Sequence, residues 1–356
     1  MMSEGRAAGG PLRPEGELGP GIAAPLPAAV LHEGAGVTRA EEFEELRPLL
    51  FSIAYRILGS VGEAEDAVQE AWLRYAAVAV RPDSARSYLS TVVTRVSLDV
   101  LRSARVRREA YVGPWFPEPL LTDPYEDPER SAELSDSVSL AALLLLERLS
   151  PLERAVFVLR EVFAFGFPDI ASAVGRSEPA CRQLAVRARR HMEAGRTRFE
   201  ADRGERAELA RRFFAAFRTG DLDGLTELLS ADVALIGDSG GKAPRVASEF
   251  LGQETVARVI GGLVELFGKL EGSLEVHELN GEPGAVFRDG DGRVLTTWTL
   301  DIVDGRVRTI RSLSNPDKLA HLGPVADTRA LDREAGIADG LTARLDDADP
   351  GSGAGT

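Results

Sequence analysis

Apolar residues recur at helical spacing early in the chain: Phe43, Leu46, Leu49, Leu50, Ile53, Ala54 and Ile57 trace one helix face. Gly59-Ser60 interrupts the run. A second helix is expected over Glu63 to Tyr75, and a third from the capping residues Asp83 or Ser84 to about Arg108. Pro114, Pro117, Pro119, Pro124 and Pro128 then forbid a continuous helix. Helical spacing returns from about Arg130 to Phe199, with breaks at Gly166 and Gly175. From about Arg206 the pattern changes. Helices over Leu209 to Thr219 and Leu222 to Leu229 give way to alternating, turn-punctuated segments. Val294 to Leu300 and Arg306 to Leu313 read as strands, with Asp289-Gly290 and Asp304-Gly305 as hairpin turns.

The pattern predicts a multidomain chain. Residues 1–38, rich in Gly, Pro and Ala, read as a disordered leader. Two all-α blocks, 39–110 and 130–203, flank a Pro-rich linker at 111–129. An α+β block follows over 204–323, and 324–356 reads as a disordered acidic tail with one weak helix around Arg329 to Leu345.

Composition narrows the function classes. The single cysteine, Cys181, excludes an intramolecular disulfide framework and fits a reducing compartment. No stretch approaches the roughly 18 apolar residues of a membrane helix, and the start of the chain lacks a signal-peptide pattern, so the protein is expected in the cytoplasm with no membrane partner. The net charge of −14 argues against nucleic acid until its distribution is considered. Arg86 to Arg108 holds six Arg against one acid, and Arg176 to Arg198 seven Arg against two. Between them, Tyr111 to Asp136 holds seven acids against one Arg. Two basic stripes around an acidic connector suit two nucleic-acid faces.

The sharpest local signal is a helix-turn-helix. Phe167 to Val174 forms a short helix, Gly175-Arg176-Ser177 a tight turn, and Glu178 to Met192 a second helix capped by Ser177. Ala180, Leu184 and Ala188 would point inward, leaving Arg182, Gln183, Val186, Arg187, Arg189 and Arg190 outward. Arg can reach guanine bidentately, Gln can reach adenine, and the later Arg can meet phosphates. A solvated basic face on an ordinary helical hairpin is the plainer alternative.

With the upstream run Leu149 to Glu161, this unit resembles the fourth conserved region of the sigma-70 superfamily, which reads the minus-thirty-five promoter element. Asp66 to Leu73 resembles the second-region helix that docks on the polymerase clamp. There Asp66, Gln69 and Glu70 share one polar face at i, i+3 and i+4. Tyr88 to Arg102 resembles the helix that opens and reads the minus-ten element. The two regions alone, in this order, are similar to the extracytoplasmic-function group. The resemblance implies core RNA polymerase (beta-prime clamp and beta flap) and promoter DNA as partners. It implies Tyr88, Arg95, Arg102 and Arg105 at the minus-ten element, with Arg107 and Arg108 also on phosphates. Arg95 stands where family members often carry Asn, in the pocket for a flipped-out base. Trp72 and Tyr88 read as core aromatics before stacking ones.

The connector run Trp115-Phe116-Pro117-Glu118-Pro119 resembles the linker motif of sigma factors with a fused SnoaL-like domain. Asp238-Ser239-Gly240-Gly241-Lys242, with Ser239 for the family glycine, and Asn315-Pro316-Asp317-Lys318-Leu319 resemble that branch's C-terminal motifs. The resemblance implies a cone of the SnoaL and nuclear-transport-factor-two-like type, with helices over a curved sheet. These segments are expected to pack together, regulating the protein in cis, with a small molecule as a candidate ligand of the cone. His277, Asp232, Asp238 and Asp301 are catalytic candidates by residue type only, so no catalytic site, cofactor or metal is expected. The rival readings are a ligand-sensing helix-turn-helix regulator without sigma function and a cone enzyme with a DNA-binding appendage.

Overall fold

The computed structural model describes residues 37–109, 111–125, 137, 139–195, 203–242 and 249–335. The predicted leader therefore lies almost wholly outside the described residues, as does the tail beyond 335. Helix α1 (Arg39–Leu58) is buried on every side from Leu49 to Leu58, Ser52 and Arg56 included. Ser60 caps α2 (Val61–Ala76) by accepting the Glu63 amide at 3.1 Å. On α2 the small residues Ala64, Ala67, Val68 and Ala71 face inward at helical spacing. Helix α3 spans Ala85–Glu109.

In the second helical block, Ser139 caps α4 (Leu140–Glu147). A reciprocal capping box between Ser150 and Glu153 starts α5 (Pro151–Phe157). The chain widens into a π-helical turn at Val158–Val162, which the apolar spacing did not predict. Helix α6 (Phe167–Val174) ends at Gly175, whose φ of 65° and ψ of 43° favour a residue without Cβ. Helix α7 spans Glu178–Gly195. The two helical blocks do not have separate cores. One continuous apolar cluster runs from Phe43, Leu50 and Ile57 through Leu89 and Val93 to Val156, Ile170, Leu184 and Ala188.

The third block is the expected α+β cone, opened by α8 (Arg203–Thr219) and α9 (Leu222–Leu228). The strands are β1 (Leu229–Asp238), β2 (Glu249–Leu251), β3 (Ser273–Leu279), β4 (Glu282–Arg288), β5 (Val294–Val303) and β6 (Arg306–Leu313). They form one sheet ordered β2-β1-β6-β5-β4-β3, with β1 and β6 parallel and the other pairs antiparallel. Helix α10 (Gln253–Lys269) completes the cover. Between helices and sheet sit Phe213, Phe214, Phe217, Phe267, Phe287 and Trp298, with neighbouring ring centroids 4.9 to 6.3 Å apart. The opposite sheet face carries Leu279, Val286 and Leu313, packed with Leu319.

Backbone hydrogen bonds cross the expected boundary at 323. The Val294 amide donates to the Pro324 carbonyl at 2.7 Å, the Ala326 amide to the Val294 carbonyl at 2.9 Å, and Ala326 is buried. A helix α11 (Thr328–Ala335) follows. The start of the predicted tail thus closes the β5 end of the sheet, because these backbone groups gain partners there.

Candidate functional site

Three surfaces bring the expected residues together. On α7, Cys181, Leu184, Ala185 and Ala188 are buried, while Arg182, Gln183, Val186, Arg187, Arg189 and Arg190 are exposed. Ala180 is only half-buried, and Cys181 takes the inward place beside it. Ser177 precedes the helix, its carbonyl accepting the Cys181 amide at 3.0 Å. Arg182, Gln183, Val186 and Arg187 line a shallow concavity. Arg182 bonds Glu178 at 2.8 Å and lies 5.0 Å from the Phe167 ring, which orients its guanidinium outward. Arg187 is 3.1 Å from Glu153, and Arg189 is 2.7 Å from Glu161. Burial pushes the Glu153 carboxyl up, but hydrogen bonds from Ser150 and Arg187 outweigh it and hold it below its ordinary range.

On α2, Asp66 and Gln69 are exposed and Glu70 is half-buried, paired with Arg74 at 2.8 Å. Leu73 stands on the same side with 55 % of its surface exposed.

On α3 the expected minus-ten residues are partly covered. Tyr88 is half-buried against Tyr75, with ring centroids 6.0 Å apart, and Trp72 lies 5.0 Å from Phe43. Arg102 is exposed and paired with Asp99. The Arg105 side chain lies outside the described residues. Arg95 donates to the Ser172 carbonyl at 2.6 Å and the Ala173 carbonyl at 3.3 Å. Beside it, the Ser87 hydroxyl donates to Asp169 at 2.7 Å. Helix α6 of the helix-turn-helix therefore covers part of α3.

The connector joins the helical blocks to the cone. Asp238 is fully buried at the end of β1 and accepts from the Phe116 amide at 2.7 Å, from the Lys318 ammonium at 2.7 Å and from the Tyr111 hydroxyl. Lys318 also donates to the Phe116 carbonyl at 2.6 Å, and its Nζ lies 4.2 Å from the Trp115 ring centroid. Asn315 donates to the Tyr111 hydroxyl at 2.8 Å. Burial and the Asp238 carboxylate hold the Tyr111 phenol far above its ordinary value. Gly240 has a φ of +56°, and a Cβ there would come within 2.9 Å of the Tyr111 hydroxyl oxygen. Pro316 opens a short turn that presents Lys318, and Leu319 is buried beneath it. Lys242 and Asp317 form an exposed ion pair, and the Gly241 carbonyl accepts from Arg329. Phe116 and Pro117 are buried and Trp115 is half-buried. Glu118 accepts the Val61 amide at 2.7 Å at the start of α2.

The sequence reading missed a second seam. Asn280, at the tip of the β3–β4 hairpin, donates through its amide to the Leu120 carbonyl at 2.7 Å and accepts the Leu120 amide on Oδ1 at 3.2 Å. Its Nδ2 donates to the Tyr55 hydroxyl at 2.6 Å, which donates in turn to the Glu118 carbonyl at 2.6 Å. His321 donates to the Pro119 carbonyl at 2.7 Å. Asn280-Gly281 was readable as a hairpin turn, but not as a tip that reaches Tyr55. On the helical side, buried Arg56 binds Asp123 at 2.8 Å and Ser137 at 3.0 Å.

The catalytic candidates do not converge. Asp232 is exposed near Arg308, His277 lies near Glu275 on β3, Asp301 lies beside Arg311, and Asp238 belongs to the connector contact. Among the described residues no group of three His, Cys, Asp or Glu could hold a metal ion. Among those same residues no helix is long and apolar enough to cross a membrane.

Comparison with known proteins agrees with this geometry. Residues 43–107 match the family model of Sigma-70 region 2, and residues 139–192 that of Sigma-70, region 4. The chain is 41 % identical over 298 residues to the ECF RNA polymerase sigma factor SigJ of Mycobacterium tuberculosis, covering 81 % of this chain and 95 % of that protein. It is 39 % identical over 191 residues to the Probable ECF RNA polymerase sigma factor SigI of the same species, covering 53 % of this chain and 66 % of that one. The crystal structure of the M. tuberculosis SigJ superimposes with a TM-score of 0.61 at 36 % identity, over 79 % of this chain and 98 % of that one. The chain belongs to the extracytoplasmic-function sigma factors of RNA polymerase, with an α+β domain after regions 2 and 4. Sigma factors bind core RNA polymerase and promoter DNA. The reading as a regulator without sigma function is not favoured.

Proposed function

We propose that this sigma factor reads the minus-thirty-five element with the exposed face of α7 and the minus-ten element with α3, and that its cone restrains both in cis. Ser177, Arg182, Gln183, Val186 and Arg187 face base edges, and Arg189 and Arg190 face phosphates. Tyr88, Arg95, Arg102 and Arg105 serve the minus-ten strand. Asp66, Gln69 and Glu70, with Leu73, dock on the beta-prime clamp, and region 4 docks on the beta flap. The protein acts in the cytoplasm as a binding subunit without turnover of its own.

The observation that carries the regulatory part is the buried contact of Lys318 and Asp238 with the Phe116 backbone. Those connector groups cannot stay paired with the cone if the connector threads into polymerase. Undocking the connector breaks the charge-assisted bonds from Lys318 to the Phe116 carbonyl and from the Phe116 amide to Asp238, each worth about 1.5–3 kcal/mol, while the Lys318–Asp238 pair stays within the cone. The test is reconstitution with core polymerase and a promoter template, alongside limited proteolysis of the whole chain and of a chain ending near Arg203. Promoter-dependent transcripts and a connector protected only in the whole chain are the expected results. Equal cleavage at Trp115 in both would remove the cone from the regulatory account.

A further inference from the structure

Three arginines on the exposed face of α7 are paired with glutamates, and one pair differs from the other two. Arg182 donates from Nη2 to Glu178 at 2.8 Å, within its own helix, and Arg189 donates from Nη2 to Glu161 at 2.7 Å. Both share a terminal nitrogen with protein. Arg187 instead donates from Nε to Glu153 Oε1 at 3.1 Å, and among the described residues no hydrogen bond engages its terminal nitrogens. Glu153 is fixed without help from Arg187. It stands at the third position of α5, where its other oxygen, Oε2, accepts the Ser150 amide at 3.2 Å and the Ser150 hydroxyl at 2.7 Å. Only 11 % of the Glu153 side chain is exposed, against 54 % for Arg187. Burial pushes its carboxyl up, but the bonds from Ser150 and Arg187 outweigh that, so it is an anion at neutral pH. With one oxygen in a helix cap, this carboxylate cannot follow the arginine outward.

We propose that Glu153 is a positioning residue for promoter reading, holding Arg187 by its Nε so that both terminal nitrogens meet one base of the minus-thirty-five element. The proposal rests on the reading of α7 as the minus-thirty-five helix. Nε carries a single hydrogen, and Glu153 takes it, so the terminal edge is the one left for DNA. That edge is a planar fork whose parallel N–H groups match the O6 and N7 acceptors of guanine. A loose arginine must be immobilised as it binds, which costs affinity. One already held at its stem has lost part of that freedom beforehand, and the tether orients the fork without occupying it. The capping box that starts α5 therefore has a second duty, 34 residues away on the recognition helix.

Glutamine separates the two duties of Glu153. It completes a capping box as glutamate does, so α5 should still form. Its one oxygen must serve the two Ser150 donors, which turns the amide nitrogen toward Arg187, donor against donor. The test is transcription by the full chain with core polymerase from a template library randomised across the minus-thirty-five element. Wild type is compared with Glu153→Gln, Arg187→Ala, the double variant and Ser150→Ala, and each is melted in parallel. Arg187→Ala should flatten the preference at one position by roughly ten- to a hundredfold. Glu153→Gln should flatten that same position by roughly two- to tenfold, and the double variant should be no worse than Arg187→Ala. Ser150→Ala weakens the cap but leaves Oε1 on Arg187, so it should lower the melting temperature with the preference unchanged. Unchanged preference in Glu153→Gln overturns the proposal, as does a loss spread over every position or additive to that of Arg187→Ala. Equal flattening in Ser150→Ala would trace the effect to the cap alone and overturn it too. If Arg187→Ala flattened no position, the reading of the α7 face itself would fall.

Discussion

Lys318 of the cone sits 2.7 Å from the Asp238 carboxylate and 4.2 Å from the centre of the Trp115 ring, so one ammonium ties two parts of the cone to the connector. Replacing Lys318 with Met leaves Asp238 buried with only the Phe116 amide and the Tyr111 hydroxyl as donors. The whole chain should lose about 3–5 kcal/mol of unfolding stability, and the connector should become protease-sensitive. Urea unfolding and limited proteolysis check both outcomes. Intact protection at full stability would mean the pair adds nothing.

Glu282 gives the same interface a pH dependence. Its Oε1 accepts the Ala141 amide at 3.0 Å at the start of α4, and burial holds its carboxyl above the ordinary value of 4.5 despite Arg311 nearby. A raised carboxyl contributes its stability below the unfolded value and loses it as pH rises through the folded one. Stability should therefore fall as pH climbs above about 4.5, and Glu282→Gln should flatten that part of the curve. Parallel pH profiles for the two proteins would assign the slope to other groups.

Arg182 and Arg190 should separate specificity from affinity. Arg182 projects from the first turns of α7 into the concavity it shares with Gln183, Val186 and Arg187. Its loss should relax one position of the minus-thirty-five element by roughly 1–3 kcal/mol. Arg190→Ala should weaken all sequences alike and reduce the salt dependence. Binding selection on a minus-thirty-five library distinguishes them.

Asp66→Arg combined with Glu70→Arg should abolish association with core polymerase at unchanged helicity. Asp66 is exposed, and the Glu70–Arg74 pair is a surface contact of about 0–1 kcal/mol, so the fold has little to lose. Co-purification with core polymerase and circular dichroism measure the two quantities. Retained association at normal helicity would move the docking face elsewhere on the molecule.

What the sequence determined by itself is local. The Ser60 cap, the Ser150–Glu153 capping box and the Gly175 turn each act within a few residues, so spacing and residue type foretell them. The same holds for the exposed face of α7 and for the Asp304-Gly305 hairpin, whose residues both take positive φ. Helix α10 and strands β1, β2 and β4 were not individually legible; β1, for instance, has an irregular register with β6 and no clean alternation. The connector motifs were readable as segments that belong together, but not as the atoms that meet. Only the tertiary structure decided that the two helical blocks share one core, that Arg95 finds carbonyls 77 and 78 residues away, and that Asn280 reaches Tyr55 across 225 residues. The reason is physical. A carbonyl at a helix end or a buried hydroxyl accepts any donor that packing brings within about 3 Å, so its partner is chosen by the fold.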